Sequence, residues 1–222
     1  MERDTTTLNV RDAYALLTTL VAPRPIGWIA TPRDSEINSS APADEHENSW
    51  RGGQGLNLAP FSYFQALCSD PPMITVSIAD GRGGAEKDTL RLLRAAGRFV
   101  THLVELHDLE RMNLTSAELG PEESEAVAFG IDVVPFFGVG RVASARAALG
   151  CTVVDLHRYG RTTGVTLVVA EIKRIYVDDA IVGADGAVRG DLLNPVARLE
   201  GPHYAVEGRR VALARPTRPV GP

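Results

Sequence analysis

The chain has 222 residues, 44% of them apolar and 23% charged, proportions that belong to a folded globular protein and exclude disordered or fibrous architectures. Its formal charge of −5 and 6% aromatic content supply no general attraction to nucleic acid or anionic lipid. No uninterrupted apolar stretch approaches the length of a membrane span; the richest, residues 127–139, is broken by Asp132 and Pro135.

The first residues lead into threonines rather than an apolar run, so no secretory leader is expected. Cys68 and Cys151 stand far apart and form no metal-type pair, which makes a reducing cytoplasm the expected compartment. There is no internal repeat and no convincing linker, so residues 1–222 read as a single domain.

Residues 9–20 have the pattern of a short helix, stopped by Pro23 and Pro25. Residues 27–31 read as a buried strand. Residues 32–55 show no apolar periodicity and read as a long surface loop, a length that is uncommon without a function or mobility. Strand signals resume over residues 56–67, an apolar and aromatic stretch in which Pro60 suggests an edge or bulge. Residues 73–79 alternate, with Ile74, Val76 and Ile78 on one face.

A helix is predicted over 89–96, with Asp88 as N-cap and Gly97 as its stop. A strand over 99–106 and a helix over 109–117 follow. The remainder reads as strands over 141–147, 151–159 and 165–177, with a turn at Ala184-Asp185-Gly186 and a disordered tail from Pro216. Many strands with few helices at the margins argue for a mainly β protein, a small barrel with peripheral α decoration. The strand–helix alternation of a dinucleotide-binding fold is missing.

Two segments carry candidate chemistry. The first runs Gly81-Arg82-Gly83-Gly84-Ala85-Glu86-Lys87-Asp88-Thr89, a glycine-rich loop entering a helix. Helix-start N–H groups, a lysine and a threonine hydroxyl suit a phosphate, although no Gly-Lys-Ser/Thr closes the loop as in a Walker A motif. An ordinary turn before a capped helix gives the same pattern. The second is Asn57-Leu58-Ala59-Pro60-Phe61-Ser62-Tyr63-Phe64, where amide and hydroxyl groups adjoin aromatic rings. It suits the edge and face of a planar heteroaromatic ligand, but read alone it is more simply a core strand whose polar groups serve neighbouring backbone.

Other mechanisms lack their parts. There is no Gly-x-Ser-x-Gly elbow and no His-Glu-x-x-His helix, and the five histidines are scattered, so no metal site is expected. The run Glu122-Glu123-Ser124-Glu125 reads as a solvated surface, and Cys68 as a buried small hydrophobe. With no acid–base constellation, any catalysis is expected to be cofactor-borne.

Taken in order, these segments resemble the flavin reductase-like family, an FMN-binding split β-barrel of Greek-key type related to pyridoxamine-phosphate oxidase. The matching pieces are residues 23–31 (PRPIGWIAT), 57–64 (NLAPFSYF), 70–73 (DPPM), 87–89 (KDT), 112–116 (MNLTS) and 195–199 (PVARL). They span about residues 15–204. The resemblance implies that Asn57, Leu58, Ala59, Pro60, Ser62, Tyr63 and Phe64 line the flavin ring and ribityl chain, and that Lys87, Asp88 and Thr89 hold its phosphate. It places Arg24, Pro25, Trp28 and Thr31 beside the flavin, with Thr31 toward the N5 edge and no catalytic side chain. It further implies a homodimer with flavin at the subunit interface, no nucleic-acid or membrane partner, and a partner monooxygenase among the electron acceptors. Two departures stand out. The 32–55 segment is longer than a hairpin turn and serves as a lid, a dimer extension or a passive insertion. His102 stands where an asparagine is expected.

The activity implied is NAD(P)H-dependent flavin reduction, by hydride transfer from nicotinamide to flavin N5. Beside a weaker one, in which the barrel carries another cofactor such as a deazaflavin or haem, two alternatives stay open at this level. One is a flavin-binding or electron-transfer module without NAD(P)H activity; the other is an FMN-dependent enzyme with a specific small organic substrate.

Overall fold

The computed structural model describes residues 2–33, 52–120 and 122–215. The central part of the 32–55 loop and the tail from residue 216 lie outside the described residues.

A first helix, α1 (Val10–Leu20), begins at Asn9, whose side chain caps the Asp12 N–H. A short strand β1 (Arg24–Pro25) leads into β2 (Gly27–Pro32), and β3 (Leu56–Phe61) pairs back along β2 in antiparallel register from Gly27↔Phe61 to Pro32↔Leu56. The apolar stretch 56–67, expected as one strand, divides at Ser62-Tyr63. The chain there leaves β3 and enters β4 (Phe64–Ser69), which pairs with β5 (Pro72–Ala79). Helix α2 (Asp88–Ala96) follows, then β6 (Arg98–Leu103), α3 (Leu109–Leu114), α4 (Glu125–Ala128) and the small pair β7 (Val133–Val134) and β8 (Arg141–Val142). A long hairpin, β9 (Ala147–Tyr159) and β10 (Val165–Val177), completes the main sheet, and β11 (Ala197–Arg198) and β12 (Tyr204–Ala205) join β1 in a small one.

The main sheet is antiparallel throughout, in the order β3-β2-β6-β9-β10-β5-β4. Its two edge strands, β3 and β4, are consecutive in the chain, so residues 62–63 cross the seam between the edges. This is a split β-barrel. Register shifts in the β9–β10 pairing at Val169/Ala170 and Ile172/Arg174 mark irregularities of the kind that bend and coil long hairpins.

Burial follows the alternation of the strands. Ile29, Phe61, Ile74, Val76, Ile78, Phe99, Cys151 and Val168 form one cluster, joined by Leu90 and Leu93 of α2. Trp28, Ala30, Leu58 and Val100 face the opposite way into a second cluster with Met112, Ala126, Phe137 and Val142. Strand β2 is therefore buried on both faces. Gly27 permits one close approach: a Cβ there would lie 2.8 Å from the Phe64 ring, which packs against this bare backbone.

Several expectations are corrected. Helix α2 starts one residue early, with Lys87 at the N-cap position; Asp88 is its first residue and pairs with Arg91 at 2.7 Å instead of capping. Gly97 does end the helix, in a left-handed conformation with φ 65°. Cys68 is exposed on edge strand β4, its thiol donating to Pro71 O, because the chain reaches the free edge sooner than the apolar pattern suggested. Ser124 and Glu125 are buried, and the acidic run is not wholly a solvated surface.

His102 is a structural staple. Its Nδ1 donates to Trp28 O at 2.7 Å and its Nε2 accepts from the Val142 N–H at 3.0 Å, tying β6 to β2 and β8. Burial pushes its pKa down from 6.5 to about 4, so the imidazole is neutral and both ring nitrogens serve backbone.

Candidate functional site

The glycine loop after β5 is shaped by its glycines. Gly83 and Gly84 both take positive φ, 67° and 80°, and the Gly81 N–H closes the loop on Ala85 O at 2.8 Å. The chain then enters α2 with no side-chain cap. Leu90 and Arg91 donate to Lys87 O, which leaves the Asp88 and Thr89 N–H groups without an intrahelical acceptor.

Those groups border a cavity of about 280 Å³ lined by Asn57, Gly81, Lys87, Asp88, Thr89 and Glu125, with the 116–119 segment on its far side. Four acids line this cavity, an unfavourable start for an anion. Each has its own arginine, however: Glu86 with Arg94 at 2.9 Å, Asp88 with Arg91, Glu118 with Arg82 at 3.6 Å and Glu125 with Arg33 at 3.6 Å. Among the described residues, Lys87 is the lining cation with no carboxylate partner; its Nζ lies 5.9 Å from the centre of the Phe61 ring. Uncapped helix N–H groups and an uncompensated ammonium make this the anion-receptive end of the site.

Beneath it, Asn57 donates from Nδ2 to Thr89 Oγ1 at 2.9 Å and to Thr31 Oγ1 at 3.2 Å, all three residues being buried. Glu125 accepts from the Leu58 N–H at 2.9 Å. In an antiparallel ladder a residue's N–H and C=O point to the same side. The free edge of β3 is therefore presented by Leu58 and Pro60, and Pro60 has no N–H to leave unpaired. Burial raises the Glu125 pKa, helped by nearby Asp88 and opposed by the Leu58 N–H and Arg33.

Farther along β3, Pro60 and Ser62 line a second cavity of about 230 Å³ with Tyr14, Asn113, Arg198 and Tyr204. Ser116 lines both cavities, so the two adjoin along the edge strand. From Asn57 to Ser62 the strand rises roughly 16 Å. A third cavity of about 380 Å³ lies at the seam, where Arg24, Pro25, Ser62, Tyr63 and Phe64 meet.

The sequence-derived site residues thus separate by role. Lys87, Asp88, Thr89 and Asn57 gather at the first cavity, Pro60 and Ser62 at the second, and Arg24, Pro25, Tyr63 and Phe64 at the seam. Trp28, Thr31 and Leu58 are wholly buried, and Ala59 is partly buried against the inner cluster. Trp28 Nε1 donates to Thr115 Oγ1 at 2.9 Å, anchoring the end of α3. Arg24 donates from Nη1 to Thr18 O and Val21 O and from Nη2 to Leu199 O, and so holds the end of α1 to the residue that follows β11. The Tyr63 hydroxyl is buried without a partner among the described residues, and burial raises its pKa. Glu125, Arg33, Tyr14, Asn113, Ser116, Arg198 and Tyr204 were not among the expected residues. The segments 112–116 and 195–199 did signal three of them.

Residues 22–190 match the family described as Flavin reductase like domain. An uncharacterised protein of Halalkalibacterium halodurans is 30% identical over 98% of this chain and 97% of its own length. The crystal structure of a 2-nitrobenzoate 2-nitroreductase from Pseudomonas fluorescens superposes with a TM-score of 0.80 at 27% identity, covering 98% of this chain and 97% of that one. Nitrilotriacetate monooxygenase component B from Bacillus cereus superposes with a TM-score of 0.82 at 26% identity, covering 96% and 98%. Among the described residues no helix is long and apolar enough to cross a membrane, and no cluster of three or more His, Cys, Asp or Glu side chains is placed to hold a metal ion.

Proposed function

The chain belongs to the flavin reductase-like domain family, and from that premise we propose that it is an FMN-binding oxidoreductase whose electron donor is NADH or NADPH. The observation that carries this reading is the junction of Lys87 and the uncapped start of α2 with the free edge of β3. The residues fit the group. Lys87 and the Asp88 and Thr89 N–H groups would hold a phosphate, Asn57 would stand at the start of the strand, and the edge from Leu58 to Ser62 is long enough for the remainder of the molecule. Thr31 and Thr89 fix Asn57, and Glu125 fixes the strand through Leu58.

The chemistry that bound FMN supplies is acceptance of a hydride from a reduced nicotinamide, two electrons and one proton together. The side chains would supply binding, orientation and exclusion of water. One similar structure is named as a component of a monooxygenase and another as a reductase of a nitroaromatic compound. By analogy the electrons leave this protein for a partner oxygenase or for a small organic acceptor.

The reading includes a homodimer. Val10, Tyr14, Leu17 and Val21 of α1 and its C-terminal cap recur at helical spacing and stay 49–62% exposed, an apolar stripe with nothing packed on it among the described residues. Tyr14 and Leu17 also line the cavities that meet at Ser62, so a second copy seated on this stripe would border the site.

The test is nicotinamide oxidation followed in air with purified protein. The reading expects consumption of NADH or NADPH that requires FMN. FMN that binds while neither nucleotide is consumed would instead identify a flavin-binding module.

A further inference from the structure

The second cavity has the opposite electrostatic character to the first. Its lining, Tyr14, Ile26, Pro60, Ser62, Met112, Asn113, Ser116, Arg198 and Tyr204, contains no acidic side chain. Arg198 is its one cation and has no carboxylate partner among the described residues. The guanidinium is held in place without being neutralised. It lies over the Tyr204 ring at 4.6 Å, and its Nη2 donates to Gly201 O at 2.5 Å. Tyr204 in turn donates from its hydroxyl to Asn113 Oδ1 at 2.9 Å, which turns the Asn113 amide N–H groups away from that bond. The Ser62 hydroxyl adds a further hydrogen-bonding group beside them, whereas the Ser116 hydroxyl donates to Asn113 O at 2.7 Å.

The geometry points to a carboxylate-binding subsite in which Arg198 is the specificity-determining residue, receiving a small planar organic acid at the end of β3 remote from Lys87. A guanidinium matches a carboxylate through parallel N–H donors, and its fixed orientation over Tyr204 lowers the cost of ordering it. One uncompensated charge, with no lysine, glycine loop or helix start beside it, suits a singly charged planar group rather than a phosphate. This rests on the flavin reading only in assigning the acid as the acceptor substrate; the subsite itself needs no flavin.

The test uses the full chain, with and without added FMN, titrated calorimetrically with benzoate and with its neutral counterpart benzamide. Wild type is expected to prefer benzoate by about tenfold, the worth of one charge-assisted hydrogen bond. Arg198→Met, which keeps an apolar stem over Tyr204, is expected to abolish the preference, and Arg198→Lys to restore part of it. Thermal melting confirms the fold of both variants, and their FMN affinity is measured alongside. Equal binding of the two probes by wild type, binding of neither, or an undiminished preference in Arg198→Met would overturn the subsite. Loss of FMN affinity in Arg198→Met with the benzoate preference intact would assign the residue to the flavin instead. Failure of wild type to bind FMN while the benzoate preference holds would refute the flavin reading and leave the subsite standing.

Discussion

Asn57 in edge strand β3 and Thr89 in the first turn of α2 are joined by a 2.9 Å hydrogen bond from the carboxamide Nδ2 to the hydroxyl Oγ1. Because Asn57 also donates to Thr31 in β2, one side chain sets the helix start against two strands. All three groups are buried, so the position of the anion-receptive helix end depends on a polar contact that water cannot replace. Substituting Asn57→Leu removes both bonds and leaves two buried hydroxyls to find other partners. The expected cost is about 1–3 kcal/mol in urea unfolding, together with weakened FMN binding. A variant as stable as wild type with full FMN affinity would show that the bridge does not position the helix.

Lys87 is exposed and makes no ion pair among the described residues, so its substitution should leave the fold intact. Lys87→Ala is expected to weaken FMN binding by about ten- to a hundredfold, the range of a lost charge-assisted hydrogen bond. Riboflavin, which lacks the phosphate, should lose almost nothing. Fluorescence titration of both flavins against both proteins separates the two, and equal losses would remove the phosphate assignment.

Stability should fall on mild acidification because of His102. Its folded-state pKa of about 4 lies below the ordinary value of 6.5, so the unfolded chain takes up the proton first. The stabilisation is complete above pH 6.5 and is lost as pH falls toward 4, a change of about 2 kcal/mol between pH 7 and pH 5. His102→Gln should be less stable at pH 7, since Trp28 O and the Val142 N–H lose an exact partner, but flatter across this window. Urea unfolding of both proteins at the two pH values checks it; a wild type insensitive to the change contradicts the assignment.

Leu17→Asp places a charge in the apolar stripe of α1 at a position 49% exposed in the single chain. The subunit should remain folded while the proposed homodimer dissociates, read by sedimentation velocity at several concentrations. An unchanged sedimentation coefficient would move the interface elsewhere.

Much of this architecture was legible before the structure. Residues 165–177 coincide with β10, and the Ile74, Val76, Ile78 face is buried as its alternation required, because strand periodicity is a local signal. Pro60 correctly marked an edge. What composition and spacing concealed was long-range. Nothing local says that residues 56–67 change edges at Ser62, since both halves are equally apolar. Glu125 looks like the end of an acidic surface run until Arg33 and the Leu58 N–H, both distant in sequence, close on it. Arg198 and Tyr204 lie more than 80 residues from Asn113, and only the packing of β11 and β12 against α3 gives them a shared cavity.

The most direct test of the central claim is the absorption spectrum of purified protein, recorded before and after adding FMN and then after anaerobic NADH or NADPH. The expected result is a perturbed flavin band on binding that bleaches with one of the two nucleotides. No spectral or fluorescence change on adding FMN would contradict it.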